Sequence, residues 1–360
     1  MQRKTMGDEK NMSLVARPRL LALFQKKIDG DDALLRLASL RFKEAGLGTE
    51  FYAETPEEMD WLLRFKPTPE TPAVVHLGRG MNLFEEASRN VIMDFATTFT
   101  EQIFGMIIHD QIEITTRFDD YLATLGEIAM QSGKVQASPC VFVEYAVGLE
   151  PGLFIEIFKS IRDLTCVSAC IDVGHIGLWQ TSAAYTRNHP EKDVFALTPH
   201  DLDLPEVIED VESAVHSALG AVLYVIQALG GLDKPLHFHL HDGHPLSMSS
   251  PFGISDHLSF LDKIPIPFEY KGKRHLDPMF GPVGLSRILN AALERLGPDR
   301  VSFSLEIHPT EGRRRLGDAS YLFDHWQDKT NAERMNYWLS VLLQNHQLVS
   351  RLCMERLMQS

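Results

Sequence analysis

Cysteine is scarce in this 360-residue chain: Cys140, Cys166, Cys170 and Cys353 are the full set, and no CxxC pair occurs. That argues against a disulfide framework and suits reduced thiols in a cytoplasmic protein. Positive charge is also short, with 35 Lys and Arg against 49 Asp and Glu and a formal net charge of -14. Such a balance disfavours a nucleic-acid backbone as the main partner. The opening MQRKTMGDEKNM lacks the apolar centre of a signal peptide, and residues 1–17 read as a flexible tail. No run is long enough for a membrane span. The most apolar, ALGAVLYVIQALGGL at 218–232, is short and carries Gln227, so it reads as a buried helix. There is no internal repeat and no low-complexity tract. What remains is 44% hydrophobic and 23% charged, ordinary for a soluble globular protein with length for a large core.

Strand and helix signals alternate along the chain. The strand candidates are PRLLALF (18–24), TEFYAE (49–54), PAVVHL (72–77), GMIIHD (105–110), CVFVEYA (140–146), VSACIDVGH (167–175), LHFHLHD (236–242) and VSFSLEIH (301–308). Between them fall helical spacings such as DDALLRLASLRFKEAG, closed by Gly46, and a helix start at Thr55-Pro56-Glu57-Glu58. Eight βα units imply parallel strands closed into a (β/α)8 TIM barrel over 18–328. Two long segments, 177–204 and 243–281, follow the sixth and seventh strands. Both therefore belong to the C-terminal face, where barrel active sites are built. A single helix is expected at 205–230. The end of the chain, 329–360, reads as an amphipathic helix packed on the barrel or on a partner subunit of a homo-oligomer.

Four of the strands end in a metal-binding side chain: Glu144, Asp172, His239 and Glu306. Period-two alternation puts His237, His239 and His241 on one face of the seventh strand, and Ser302, Ser304, Glu306 and His308 on one face of the eighth. Three carboxylates and an imidazole converging in a barrel are what a divalent cation needs, and burying the carboxylates without one would cost several kcal/mol each. HDGHP adds His241, Asp242 and His244, with His241 beside the ligands and Asp242 orienting one of them. Trp179 and Phe252 are candidates for a pocket wall. Arg313, Arg314 and Arg315 follow the eighth strand, where barrels often bind phosphate, but a solvated basic run is the favoured reading, since charge runs usually lie on the surface.

The strand-end motifs VEYAVGLE, IDVGH, HFHLHDG, DHL, GPVGL and LEIH resemble the xylose-isomerase-like TIM barrels, over roughly 18–325. That superfamily includes ketose 3-epimerases, hydroxypyruvate isomerases, inosose dehydratases and endonuclease-IV-type AP endonucleases. The resemblance implies one divalent ion (Zn, Mn, Mg or Co) held by Glu144, Asp172, His239 and Glu306. It implies that Glu150, six residues after Glu144, helps to hold substrate; His241 and Trp179, from HDGHP and the segment after the sixth strand, are further substrate-binding candidates. It further implies isomerisation or epimerisation of a small polyhydroxylated or keto-acid substrate through an enediolate. Glu144 and Glu306 would then be the acid–base pair, with His175 bonded to the developing oxygen.

The AP-endonuclease branch carries extra ligands, matched here by His76, His109, His175 and His257. Its Asp-x-His is broken, because Ser255 stands in the Asp position with Asp256 beside it. A site for two or three ions is therefore also expected, with multi-zinc phosphodiester hydrolysis as the alternative chemistry. A barrel that binds metal or ligand without catalysis is the third reading.

Overall fold

Eight parallel strands close into one barrel, in which each strand pairs with the next barrel strand along the chain and the last pairs with the first. The computed structural model describes residues 16–23, 32–192, 204–246, 257–307 and 332–359. The barrel strands are β1 (Arg19–Leu23), β2 (Gly48–Tyr52), β3 (Ala73–His76), β4 (Gly105–His109), β5 (Cys140–Glu144), β6 (Val167–Asp172), β7 (Leu236–Leu240) and β10 (Val301–Leu305). Helices α1 (Asp32–Ala45), α2 (Pro56–Leu62), α3 (Glu86–Thr98), α4 (Phe118–Ser132) and α5 (Pro151–Ser160) follow the first five strands. The chain is thus a single (β/α)8 barrel.

Alternation along each strand separates two cores. Outward side chains such as Phe51, Val75, Ile108, Val143, Ile171 and Phe238 pack under the helices. Inward, Leu21, Val74, Ile107, Phe142 and Cys170 fill the lower barrel. Above that apolar plug the inward positions become ionisable, and the chemistry begins there.

Sequence and structure part company after β6. VSACIDVGH is not one strand: β6 stops at Asp172 and helix α6 (Val173–Asn188) starts at once, with the Asp172 side chain accepting the His175 N–H at 2.6 Å. An aspartate at this position caps the helix, which its apolar surroundings disguise in the sequence. Much of the expected long loop is therefore helical. The expected helix at 205–230 is two, α7 (Leu204–Val215) and α8 (Ala218–Gly230). Residues 206–230 would suit a membrane span by composition, yet Val222, Val225, Ile226 and Leu229 of α8 are buried within the protein.

The second excursion, after β7, holds an antiparallel hairpin of β8 (Ile264–Tyr270) and β9 (Lys273–Leu276). The two excursions share a satellite core of Tyr185, Val207, Ile208, Val211, Leu246, Ile264, Ile266 and Leu276. They form one packed cover beside the strand ends. Helix α9 (Gly281–Leu296) leads into β10, and α10 (Ala332–Leu357) lies against α9, α1 and the first and last barrel strands. Trp338 Nε1 donates to the Ile307 carbonyl at 2.8 Å, and Asn345 is bonded to Phe260 N and Ser259 Oγ. Phe252, Ser255, Asp256, His308 and Arg313 to Arg315 lie outside the described residues.

Candidate metal centre

Glu144 and Asp172 are the last residues of β5 and β6, His239 lies in β7, and Glu306 follows β10. The barrel brings these four together, with one ligand atom from each inside a 4.8 Å cluster. His239 Nδ1 is 3.1 Å from Glu306 Oε2 and 3.6 Å from both Glu144 Oε1 and Asp172 Oδ2. Asp172 Oδ2, Glu306 Oε2 and His239 Nδ1 are buried and make no hydrogen bond. Electron-rich atoms buried face to face without hydrogen bonds are a costly arrangement unless a cation sits among them. The donor set, three carboxylates and one imidazole, fits Mn, Zn, Co or Mg.

Each of two carboxylates also belongs to a flanking group. On one side, Glu144 is joined by His76 and His109. His76 Nδ1 is 2.8 Å from the Leu77 carbonyl, which can only accept, so that nitrogen carries the hydrogen. His76 Nε2 then presents a lone pair 2.9 Å from Glu144 Oε2, and His109 Nε2 lies 3.5 Å from the same oxygen. On the other side, Asp172 is joined by His175, His241 and His257. His241 repeats the device: Nδ1 is 3.2 Å from the Asp242 carbonyl, and Nε2 is 2.9 Å from Asp172 Oδ1. His241 stacks on His257 with ring centroids 4.0 Å apart. Two imidazole lone pairs aimed at carboxylates require a proton or a metal ion in between.

Where protons are the only cations, the cluster collects them. Burial opposes charge on Glu144, Asp172 and Glu306, yet the surrounding imidazoles outweigh it and hold all three carboxyls below their usual range. Burial likewise opposes charge on His175, but Asp172 and Glu144 raise it to about 9. His239, His76 and His241 are raised against burial by the same carboxylates and their neighbours. Burial dominates at His109 and His257, which fall to about 4 and are neutral near pH 7. A neutral imidazole beside an ionised carboxylate is in the protonation state that metal binding requires.

Beneath the centre is a residue that the sequence reading passed over. Glu50, inward on β2, is fully buried, with Oε1 3.2 Å from His239 Nε2 and Oε2 3.7 Å from His237 Nε2. Burial raises its pKa, but His239 and His237 more than compensate and hold it at about 2. The signal was present: Thr49, Phe51 and Ala53 form the face turned to the helices, which leaves Glu50 facing in.

The remaining expected site residues are placed as follows. Exposed Glu150 caps α5, with Oε2 accepting the Leu153 N–H at 3.1 Å. Trp179 donates from Nε1 to the Ala146 carbonyl, and its indole fills the space where a Cβ on Gly148 would stand. Asp110 ties the same loop to β4 by accepting the Ala146 and Val147 N–H groups, each at 2.8 Å. Asp242 was expected to orient a ligand; its carboxylate instead accepts the N–H groups of Gly243, Phe280 and Gly281, at the start of α9. His244 bonds Glu212 of α7 at 2.9 Å.

No protein-family model and no curated protein matches the chain. Among solved structures, the crystal structure of AsfvAP:AG aligns over 92% of this chain and 99% of its own, at 15% identity and a TM-score of 0.46. A β-D-glucuronidase of Dictyoglomus thermophilum aligns over 90% of this chain and 50% of its own, at 10% identity and 0.40. Rhizobium etli pyruvate carboxylase aligns over 94% of this chain and 28% of its own, at 11% identity and 0.34. The reading of the site rests on its own geometry.

Proposed function

We propose that the protein is a divalent-metal-dependent hydrolase that cleaves a phosphate ester or diester. The observation that carries this reading is the sharing of carboxylates. Glu144 belongs both to the central group and to the group with His76 and His109, and Asp172 belongs both to the central group and to the group with His175, His241 and His257. A mononuclear site needs no such sharing, whereas adjacent ions bridged by carboxylates do. Bound divalent ions supply Lewis acidity toward phosphoryl oxygens and acidify water. His241 contributes an imidazole beside His257 where the Asp-x-His of the resembled endonucleases is broken.

The chain's own groups suit that chemistry. Glu306 is the least buried of the central carboxylates, which suits it best of the three to exchange a proton. His175 Nδ1 lies 3.2–3.4 Å from the Tyr145 carbonyl, Glu144 Oε1 and Asp172 Oδ2, which fixes its ring. Arg79, on the loop after β3, is close enough for its charge to act on His109 and Tyr52, and it can meet an anionic group at the rim. The net charge of -14 favours a small phosphate ester over a nucleic-acid duplex.

Isomerisation or epimerisation of a small sugar or keto acid is the second reading. It is favoured by the completeness of the four-ligand group alone, with Glu144 and Glu306 as acid–base pair and His175 on the enediolate. It gives no role to His76 and His109. Metal-replete protein should be assayed against bis(p-nitrophenyl) phosphate and an abasic-site duplex, and in parallel against ketohexoses for epimerisation. Phosphodiester cleavage lost in Glu306→Gln supports the hydrolase. Epimerisation without cleavage sinks it, and neither activity leaves a non-catalytic metal-binding barrel.

A further inference from the structure

The middle layers of such barrels are filled by branched apolar side chains. Glu50 breaks that pattern in a layer where solvent cannot reach it. Neither of its oxygens has a hydrogen bond of good geometry, so its partners are charge contacts with two imidazoles, at 3.2 Å to His239 and 3.7 Å to His237. A buried carboxylate of this kind is costly and needs a compensating role.

His239 supplies one. Its two ring nitrogens face opposite ways: Nε2 toward Glu50, and Nδ1 toward Glu306, Glu144 and Asp172. A neutral imidazole carries one hydrogen and one lone pair. Whichever nitrogen meets a strong acceptor keeps the hydrogen, and the other becomes the ligand. His237 braces the arrangement from behind, because its Nδ1 is 2.7 Å from Ser302 Oγ and its Nε2 faces the second Glu50 oxygen. Ser302, His237, Glu50 and His239 thus form a line through the barrel interior that ends at the central group.

We propose that Glu50 is a positioning residue of the metal centre: facing His239 Nε2 at 3.2 Å, it draws the ring hydrogen to that nitrogen and so presents the Nδ1 lone pair to an ion held with Glu144, Asp172 and Glu306. The inference rests on the reading that this group binds a divalent ion. Outer carboxylates behind ligating imidazoles typically set metal affinity by 10–100-fold. Glu50 is the only acidic residue of its strand and contributes no ligand atom to the central four.

The test is a competition titration of zinc against a chromophoric chelator. The full chain is used as wild type, Glu50→Met, Glu50→Gln and Glu144→Gln, with cobalt absorption spectra of each. Glu50→Met has similar volume and no acceptor of comparable strength. It should weaken the tightest zinc by about 10–100-fold and shift the cobalt spectrum. Glu50→Gln, whose side-chain carbonyl can accept the same N–H, should recover the wild-type spectrum and most of the affinity, and it keeps the comparison open if the Met variant does not fold. Wild-type affinity and spectrum in a folded Glu50→Met, together with loss of zinc in Glu144→Gln, would overturn the role of Glu50 and leave the metal centre standing. Wild-type protein that takes no zinc or cobalt would overturn both.

Discussion

Replacing Asp242 with alanine should destabilise the protein by about 3–5 kcal/mol, and the figure can be built from its contacts. The carboxyl takes the N–H groups of Gly243 at 2.8 Å, Gly281 at 2.7 Å and Phe280 at 3.3 Å, all in a region with no solvent exposure at Asp242. Gly281 opens α9, so two of the three donors belong to a helix start, which has no other partner for them. Burial pushes the carboxyl up to about 7 in spite of these donors, so at pH 6 it is largely neutral and the neutral hydrogen-bond scale applies. Each donor left buried and unsatisfied costs about 1–3 kcal/mol. Water entering the vacated space would recover part of the sum, which leaves the range stated. Urea unfolding of metal-replete protein at pH 6 should show the midpoint falling with an unchanged slope. Metal content should change far less than stability, because Asp242 makes its bonds to backbone. A loss under about 1 kcal/mol, or loss of metal with unchanged stability, would refute this account of Asp242.

Gly174→Ala would place a Cβ 1.9 Å from His241 Cε1, so the ring must leave Asp172 and His257. The variant should fold with one fewer bound ion per chain by elemental analysis, and an unchanged count would remove His241 from the centre. Stripping metal with a chelator should lower the melting temperature, since ligand at 1,000 times its Kd stabilises by about 4 kcal/mol. An unshifted melt would mean that the ions, if bound, are weak. The half-buried Glu212 carboxyl is held below its usual range chiefly by its hydrogen bond to His244. Its contribution is therefore present above the unfolded carboxylate range and lost as pH falls through the folded value. Glu212→Gln should cost on the order of 1 kcal/mol at most near pH 7 and nothing in strong acid, measured by urea midpoints. A cost that persists in acid would contradict this.

The strands and the grouping of the four central residues were legible because their signals are local. Alternation in LHFHLHD and VSFSLEIH needs no knowledge of the rest of the chain to put His239 and Glu306 on inward faces. Asp172 was legible as a member of the central group but not as the cap that ends β6, since Val173, Ile176 and Leu178 are as apolar as a strand would be. Glu50 stood as one acid in a short strand, and its partners on β7 are far along the chain. Asp242 meets Gly281, 39 residues away, a pairing that no spacing rule reaches. The satellite core beside the strand ends was hidden for the same reason: Tyr185, Val211 and Ile264 join segments that periodicity treats separately.

The C-terminal strand ends are proposed to assemble a centre for more than one divalent ion. Elemental analysis of purified protein, read beside an anomalous-scattering map of its crystals at a zinc or manganese edge, tests it directly. An ion is expected among Glu144, Asp172, His239 and Glu306, with at least one more beside His76 and His109 or among His175, His241 and His257. A single ion confined to the central four would move the chemistry to proton transfer on a small sugar or keto acid. A metal-free map from protein equilibrated with zinc and manganese would contradict the claim outright.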